Sequence, residues 1–149
     1  MAPTELLAEQ HFRKLVQWLE PLLAARGQTI AWLTGSRKGK VAVIAGALAL
    51  RDHAERHFGF LQVLGQEHGH LQLLPVREER DSSTRAAQAT RELLKQHPDL
   101  VGLYNVGAGT DGIITALREQ KERRDLVVIA HELTEASRAA LIDGTLSAV

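Results

Sequence analysis

From Lys40 onward the chain alternates short apolar runs with amphipathic ones, and this alternation narrows the possible folds more than any single motif. Val41-Ala42-Val43-Ile44-Ala45 is a continuous apolar run, the pattern of a strand covered on both faces of a sheet. Arg51 to Glu67 reads as a helix with Ala54, Phe58, Leu61 and Leu64 inward. Leu71 to Val76 is a second strand, and Arg85 to Gln96 a helix ending before Pro98, with Ser82 and Ser83 where its cap should be. Leu100 to Tyr104 is a third strand, followed by a helix over Gly112 to Gln120. Leu126 to Ala130 is a fourth, and Thr134 caps a helix that runs to Ile142 and stops at Asp143-Gly144. Thr145 to Val149 begins a further strand. Strand–helix units in regular succession predict an α/β fold, a three-layer αβα sandwich around a mainly parallel sheet.

Upstream, Thr4 to Arg26 places leucines and other apolar residues on one helical side, interrupted by Pro21 and ended by Gly27. Gln28 to Gly35 is a short apolar piece, and a polar turn follows it. The whole chain of 149 residues allows one domain. Lys and Arg number 18, as do Asp and Glu, so no net charge draws the chain to nucleic acid, membrane or acidic substrates. Cysteine is absent, which removes disulfides, a cysteine nucleophile and thiolate metal sites. No apolar stretch reaches membrane-spanning length and no signal-type apolar region opens the chain, so a soluble, cytoplasmic protein is expected.

One motif invites a cofactor. Gly107, Gly109 and Gly112 follow the third strand with the spacing of a dinucleotide fingerprint, and Glu132 lies twenty positions beyond Gly112, where an acid for a ribose hydroxyl belongs. Order along the chain argues against it, because such a fingerprint normally belongs to the first strand and helix of its fold. Tight turning at Gly107 and Gly109 and close helix approach at Gly112 explain the same residues. His53 and His57 share a helix face at ligand spacing but lack a third ligand in sequence. No nucleophile elbow or phosphate-binding lysine loop occurs, and no acid pairs with a base. The expectation is a protein without catalytic residues, metal or cofactor.

The chain from about Gly39 to Val149 resembles the distal subdomain of the lac repressor and ribose-binding protein superfamily, the type I periplasmic-binding fold. Arg56-His57-Phe58-Gly59-Phe60 is similar to that subdomain's Arg-x-x-Gly-aromatic signature. Leu103-Tyr104-Asn105 resembles its strand ending in Asn-Asp, although Val106 replaces the acid. Val128-Ile129-Ala130-His131-Glu132 resembles its strand ending in Gly-x-Glu, with Ala130 for the glycine. Ala140-Leu141-Ile142-Asp143-Gly144-Thr145-Leu146-Ser147-Ala148-Val149 resembles the stretch that returns to the other subdomain.

The resemblance implies one lobe of an effector-binding domain over residues 28–149, with residues 1–27 of separate affiliation. It implies a fragment of a transcriptional regulator that senses a carbohydrate or related polar metabolite. The regulator would reach DNA through a headpiece absent from this chain and form a homodimer. Arg56, Asn105, Glu132 and His131 would bind the ligand. Each has a plainer reading: a surface arginine, an asparagine that starts a turn, and acid and loop residues ahead of a helix. Besides the dinucleotide enzyme, a stand-alone flavodoxin-like interaction domain is an alternative, and strand order separates the three.

Overall fold

The computed structural model describes residues 39–120 and 125–149; the segments expected over Thr4–Arg26 and Gln28–Gly35 lie outside the described residues. The described chain runs β1 (Gly39–Ala45), α1 (Arg51–Glu67), β2 (Leu71–Leu73), β3 (Arg77–Glu78), α2 (Ser83–Gln96), β4 (Leu100–Asn105), α3 (Thr110–Glu119), β5 (Val127–Ile129) and α4 (Glu135–Ile142). Every strand pair is parallel, in the order β2–β1–β4–β5, with β3 beside the far end of β1.

The strand expected over Leu71–Val76 is present in two pieces. β2 pairs with Gly39–Val41 and β3 with Ile44–Ala45, so both lie along one side of β1. Leu74 still donates its amide to the Val41 carbonyl at 2.9 Å. Pro75 follows with no amide to give, and the ladder lapses there. At the other side of the sheet the last residues return to β5, where Ala148 bridges Ile129 in parallel. Counting β2 and β3 as one strand, the order is that of a doubly wound sheet whose direction of winding reverses between β1 and β4.

Alternation along the strands assigns the layers. Ala42, Ile44, Leu103 and Val128 face α2, α3 and α4, against Ala86, Leu93, Ile113 and Ala140. Val43, Ala45, Tyr104 and Val106 face the opposite way, towards Phe60 of α1. The result is the three-layer αβα sandwich expected. Helix α1 departs from expectation in one respect: Phe58 is 61% exposed, and His53 is the residue buried beneath it. His53 Nδ1 accepts the Ala47 amide at 3.1 Å. That bond fixes the helix's rotation, so a row of His53, His57, Phe60 and Leu64 turns inward in place of one containing Phe58.

Helices α2 and α3 pack through small residues, with Ala86, Ala87, Ala89 and Thr90 buried. At their closest point a Cβ on Gly112 would run into the backbone carbonyl of Ser83. Arg91 and Glu119 close the outer side with two hydrogen bonds of 2.7 Å, an exposed pair whose attraction solvent and salt screen. The caps are as expected: the Ser82 hydroxyl accepts from Arg85, Thr134 forms a reciprocal box with Ser137, and Gly144 follows α4 at φ 78°.

Two glycine substitutions should therefore act in opposite directions. Gly112→Ala forces α2 and α3 apart and should cost about 1–3 kcal/mol in urea unfolding. Gly59→Ala meets nothing within 4 Å and should stabilise by about 0.5–1 kcal/mol through helix propensity. A neutral Gly112→Ala would show that the helices are not in backbone contact.

Candidate functional site

Because the sheet is parallel, the C-terminal ends of β1, β3, β4 and β5 lie at one edge, with their loops beside them. At the reversal point the turns after β1 and β4 press together. A Cβ on Gly107 would meet the Gly46 amide nitrogen and the Asp81 carboxylate, and one on Gly46 would meet Asp81 and His53. Asp81 Oδ1 accepts the Ala108 amide at 2.9 Å. Its loop holds Arg80 and Asp81 at φ 49° and 55°, a left-handed conformation uncommon outside glycine. The Arg80 amide bonded to the Gly46 carbonyl at 2.7 Å helps to hold it.

This packing accounts for the glycine fingerprint. Gly107 permits backbone approach, Gly109 caps α3 at φ 90°, and Gly112 admits the neighbouring helix. A pyrophosphate would find the Ala108 amide already taken by a carboxylate and would be repelled by its charge. Among the described residues, no three side chains of metal-ligating type converge.

Polar side chains gather instead on the α1 side of the same edge. Arg56 projects from α1, donates to the Val106 carbonyl at 3.2 Å and lies 3.9 Å from Asp52. Tyr104, the penultimate residue of β4, stacks on Phe60 with ring centroids 4.7 Å apart. Its hydroxyl is 2.7 Å from Nε2 of His131, which sits in the loop after β5. Burial raises the Tyr104 pKa above that of a free phenol, with Arg56 opposing. Burial, then Arg56, hold His131 below the ordinary imidazole value of 6.5, and His53 adds to the lowering while Glu132 opposes it. With the imidazole neutral and the phenol protonated, the hydroxyl donates to Nε2 and the ring proton resides on Nδ1.

Of the residues expected at a ligand site, the fold brings Arg56 and His131 together. Glu132 is next to them, exposed, at φ 69°. Its carbonyl accepts from the Thr134 amide and the Ser137 hydroxyl at 3.0 and 2.9 Å. Asn105 goes elsewhere. One position after Tyr104, it points to the opposite face and is fully buried. Its amide donates to the Gly107 carbonyl at 2.8 Å and to the Thr110 hydroxyl at 2.9 Å, and its oxygen faces the Gly107 amide at 3.4 Å. In this arrangement Asn105 holds the turn between β4 and α3. Sequence reasoning passed over Tyr104 and Phe60 as site residues, and weighed His53 only as a metal ligand. Alternation would have put Tyr104 on the α1 side, but nothing local announces its partner 27 positions on.

The description "Periplasmic binding protein domain" belongs to the family model that matches residues 16–149. The chain belongs to this family. Among solved structures, the periplasmic-binding fold recurs in AraP, an arabinose binding protein from Geobacillus stearothermophilus. It is 25% identical at a TM-score of 0.67, and the match covers 74% of this chain and 38% of that one. A sugar transport periplasmic component from Hahella chejuensis is also 25% identical, at a TM-score of 0.69, covering 77% of this chain and 42% of that one. The chain thus spans well under half of these relatives. A separate match of 40 residues, 55% identical, is to the ATP-dependent DNA helicase RecG of Escherichia coli O157:H7. It takes in 27% of this chain and 5% of the helicase, too small a share to place the chain in the helicase family.

Two outcomes follow from the geometry. Asn105→Ala strands Gly107 and Thr110 groups in the interior and should cost about 1–3 kcal/mol in chemical unfolding. His131 binds its proton less tightly when folded than when unfolded. The stability it contributes is thus present above the unfolded value near 6.5 and is lost as pH falls towards the folded value. Melting temperatures taken between pH 7.5 and 5 should fall less in His131→Gln than in the unaltered chain. An equal fall would assign the acid sensitivity to other groups.

Proposed function

We propose that this chain is a lobe that binds a carbohydrate or closely related polar metabolite without chemical change. The observation that carries the reading is the convergence of Arg56, Tyr104 and His131 at the C-terminal edge of a parallel sheet, the place where open α/β sheets receive ligands. Arg56 supplies a planar fork of donors, of which one bond goes to Val106. Glu132 supplies acceptors, and the rings of Phe60, Tyr104 and His131 supply an apolar surface for the C–H face of a sugar. Asn105 contributes through the turn it holds. The names of two relatives, an arabinose binding protein and a sugar transport component, support a sugar as ligand.

The finer reading makes this the effector lobe, over residues 28–149, of a lac-repressor-type transcriptional regulator. It is supported by the order of the motifs around Arg56, Asn105, Glu132 and Gly144. In that setting the protein is cytoplasmic and homodimeric. Ligand would favour a closed arrangement of two lobes and shift DNA affinity through a separate headpiece.

The test is titration of the chain with arabinose, ribose, galactose, glucose and a sugar acid, followed by amide chemical shifts. A lone lobe should bind with a Kd of about 1 mM, and Arg56→Ala should weaken binding about tenfold, the loss of one hydrogen bond to a charged group. Saturable binding untouched by Arg56→Ala would place the site elsewhere. In the full-length protein, a sugar that left affinity for DNA unchanged would remove the regulator reading and keep the binding one.

A further inference from the structure

We propose that the C-terminal edge of the sheet is a self-association surface, on which a second copy of this lobe docks about a two-fold axis and closes the candidate site between them; the part that ligand plays rests on the sugar-binding reading above. Of the seven large hydrophobic side chains exposed among the described residues, four lie at this edge: Leu50, Ile129, Leu133 and Val149. They flank the polar side chains of Arg56, Tyr104 and His131. Exposed apolar side chains gathered in this way mark a surface that meets another molecule.

Leu133 is the most exposed of the four, at 69%, and a built turn holds it there. Glu132 before it is left-handed at φ 69°, and its carbonyl accepts the Thr134 amide and the Ser137 hydroxyl at 3.0 and 2.9 Å. A leucine whose backbone is already fixed loses less freedom on docking than one on a loose loop. Ile129 stands in register with Tyr104, so its side chain faces the same way and extends the ring wall of the site. Across β1, β4 and β5 the rim spans roughly 10 Å between strand axes, more than one sugar ring covers.

Charge selects a second copy as the occupant. β4 lies between β1 and β5, so the loops after β1 and β5 form opposite rims of the edge. The first rim ends in Leu50 and Arg51. The Arg51 side chain is 91% exposed and pairs with Glu55 on its own helix, a contact that water keeps weak. The second rim carries Leu133 and Glu135, the exposed first residue of α4. Each rim thus presents one leucine and one charge, and the two charges are opposite. A two-fold axis through the end of β4 lays each rim on the other. Leucine then meets leucine, and arginine meets glutamate twice, the self-complementarity that an isologous contact requires. A partner of uniform charge would meet its own sign on one rim. The edge is small, so the contact is weak and transient, and a sugar touching both copies tightens it.

The experiment is sedimentation equilibrium of the full chain at micromolar to millimolar concentrations, alone and with arabinose, galactose or glucose, with circular dichroism confirming that each variant is folded. The chain should dimerise with a Kd of about 1 mM or below, and a sugar that binds should tighten the dimer about fivefold or more. Leu133→Glu should weaken it about tenfold. Arg51→Glu and Glu135→Arg should each weaken it about fivefold by setting like charges together. An equimolar mixture of those two variants should recover the association, because the mixed dimer holds one native and one exchanged ion pair. A chain that stays monomeric, a dimer indifferent to all three substitutions, or a loss that mixing does not recover would overturn the surface and leave the sugar reading standing. A dimer that responds to the substitutions and to mixing, yet is neither bound nor tightened by any of the three sugars, would uphold the surface and remove the sugar reading.

Discussion

Burial of β1 on both faces is the constraint from which the rest of this structure follows. Val41 to Ala45 have no more than 6% of their surface exposed, so the strand can sit only in the interior of a sheet with helices above and below. Parallel neighbours on either side then place all the strand ends, and hence their loops, at one edge. Where β1 meets β4 the two turns are forced so close that only Gly46 and Gly107 fit, and the Asp81 carboxylate fills the remaining space. The reversal point of the sheet is thereby closed with the chain's own atoms. The polar side chains Arg56, Tyr104 and His131 gather instead towards α1.

How much of this could be read beforehand depends on the range of the interaction. The strands, the caps at Ser82 and Thr134 and the stop at Gly144 rest on spacing of a few residues, and they stand where that spacing put them. The break at Pro75 was equally local, yet it was hidden because an apolar run through Val76 reads as continuous. Phe58 misled because hydrophobicity alone sets helix faces in a sequence reading, while here a histidine hydrogen bond does so. Asn105 and Tyr104 show the limit most clearly. Adjacent in sequence, they diverge onto opposite faces, and only the pairing of β4 with β5 reveals which of them meets His131.

Arg56 organises the charge at this edge. It ties α1 to the end of β4 through the Val106 carbonyl, and its field adds to the burial that holds protons off His131 while working against the burial that keeps Tyr104 protonated. Burial does most to set the protonation of both rings, with the Arg56 cation reinforcing it at His131 and opposing it at Tyr104. Family membership fixes the fold over most of the chain; the proposed binding role rests on the arrangement around Arg56.

The divided strand at the sheet's rim has a consequence of a different kind. An unbroken outer strand offers a row of free amides and carbonyls on which another chain can build, the route to sheet-to-sheet aggregation. Here β2 and β3 are three and two residues long, with Pro75 between them. An incoming strand could hold no register across that gap. The lapse in the ladder, a loss of one bond within the lobe, therefore works as a barrier to polymerisation at what is, among the described residues, the rim of the sheet.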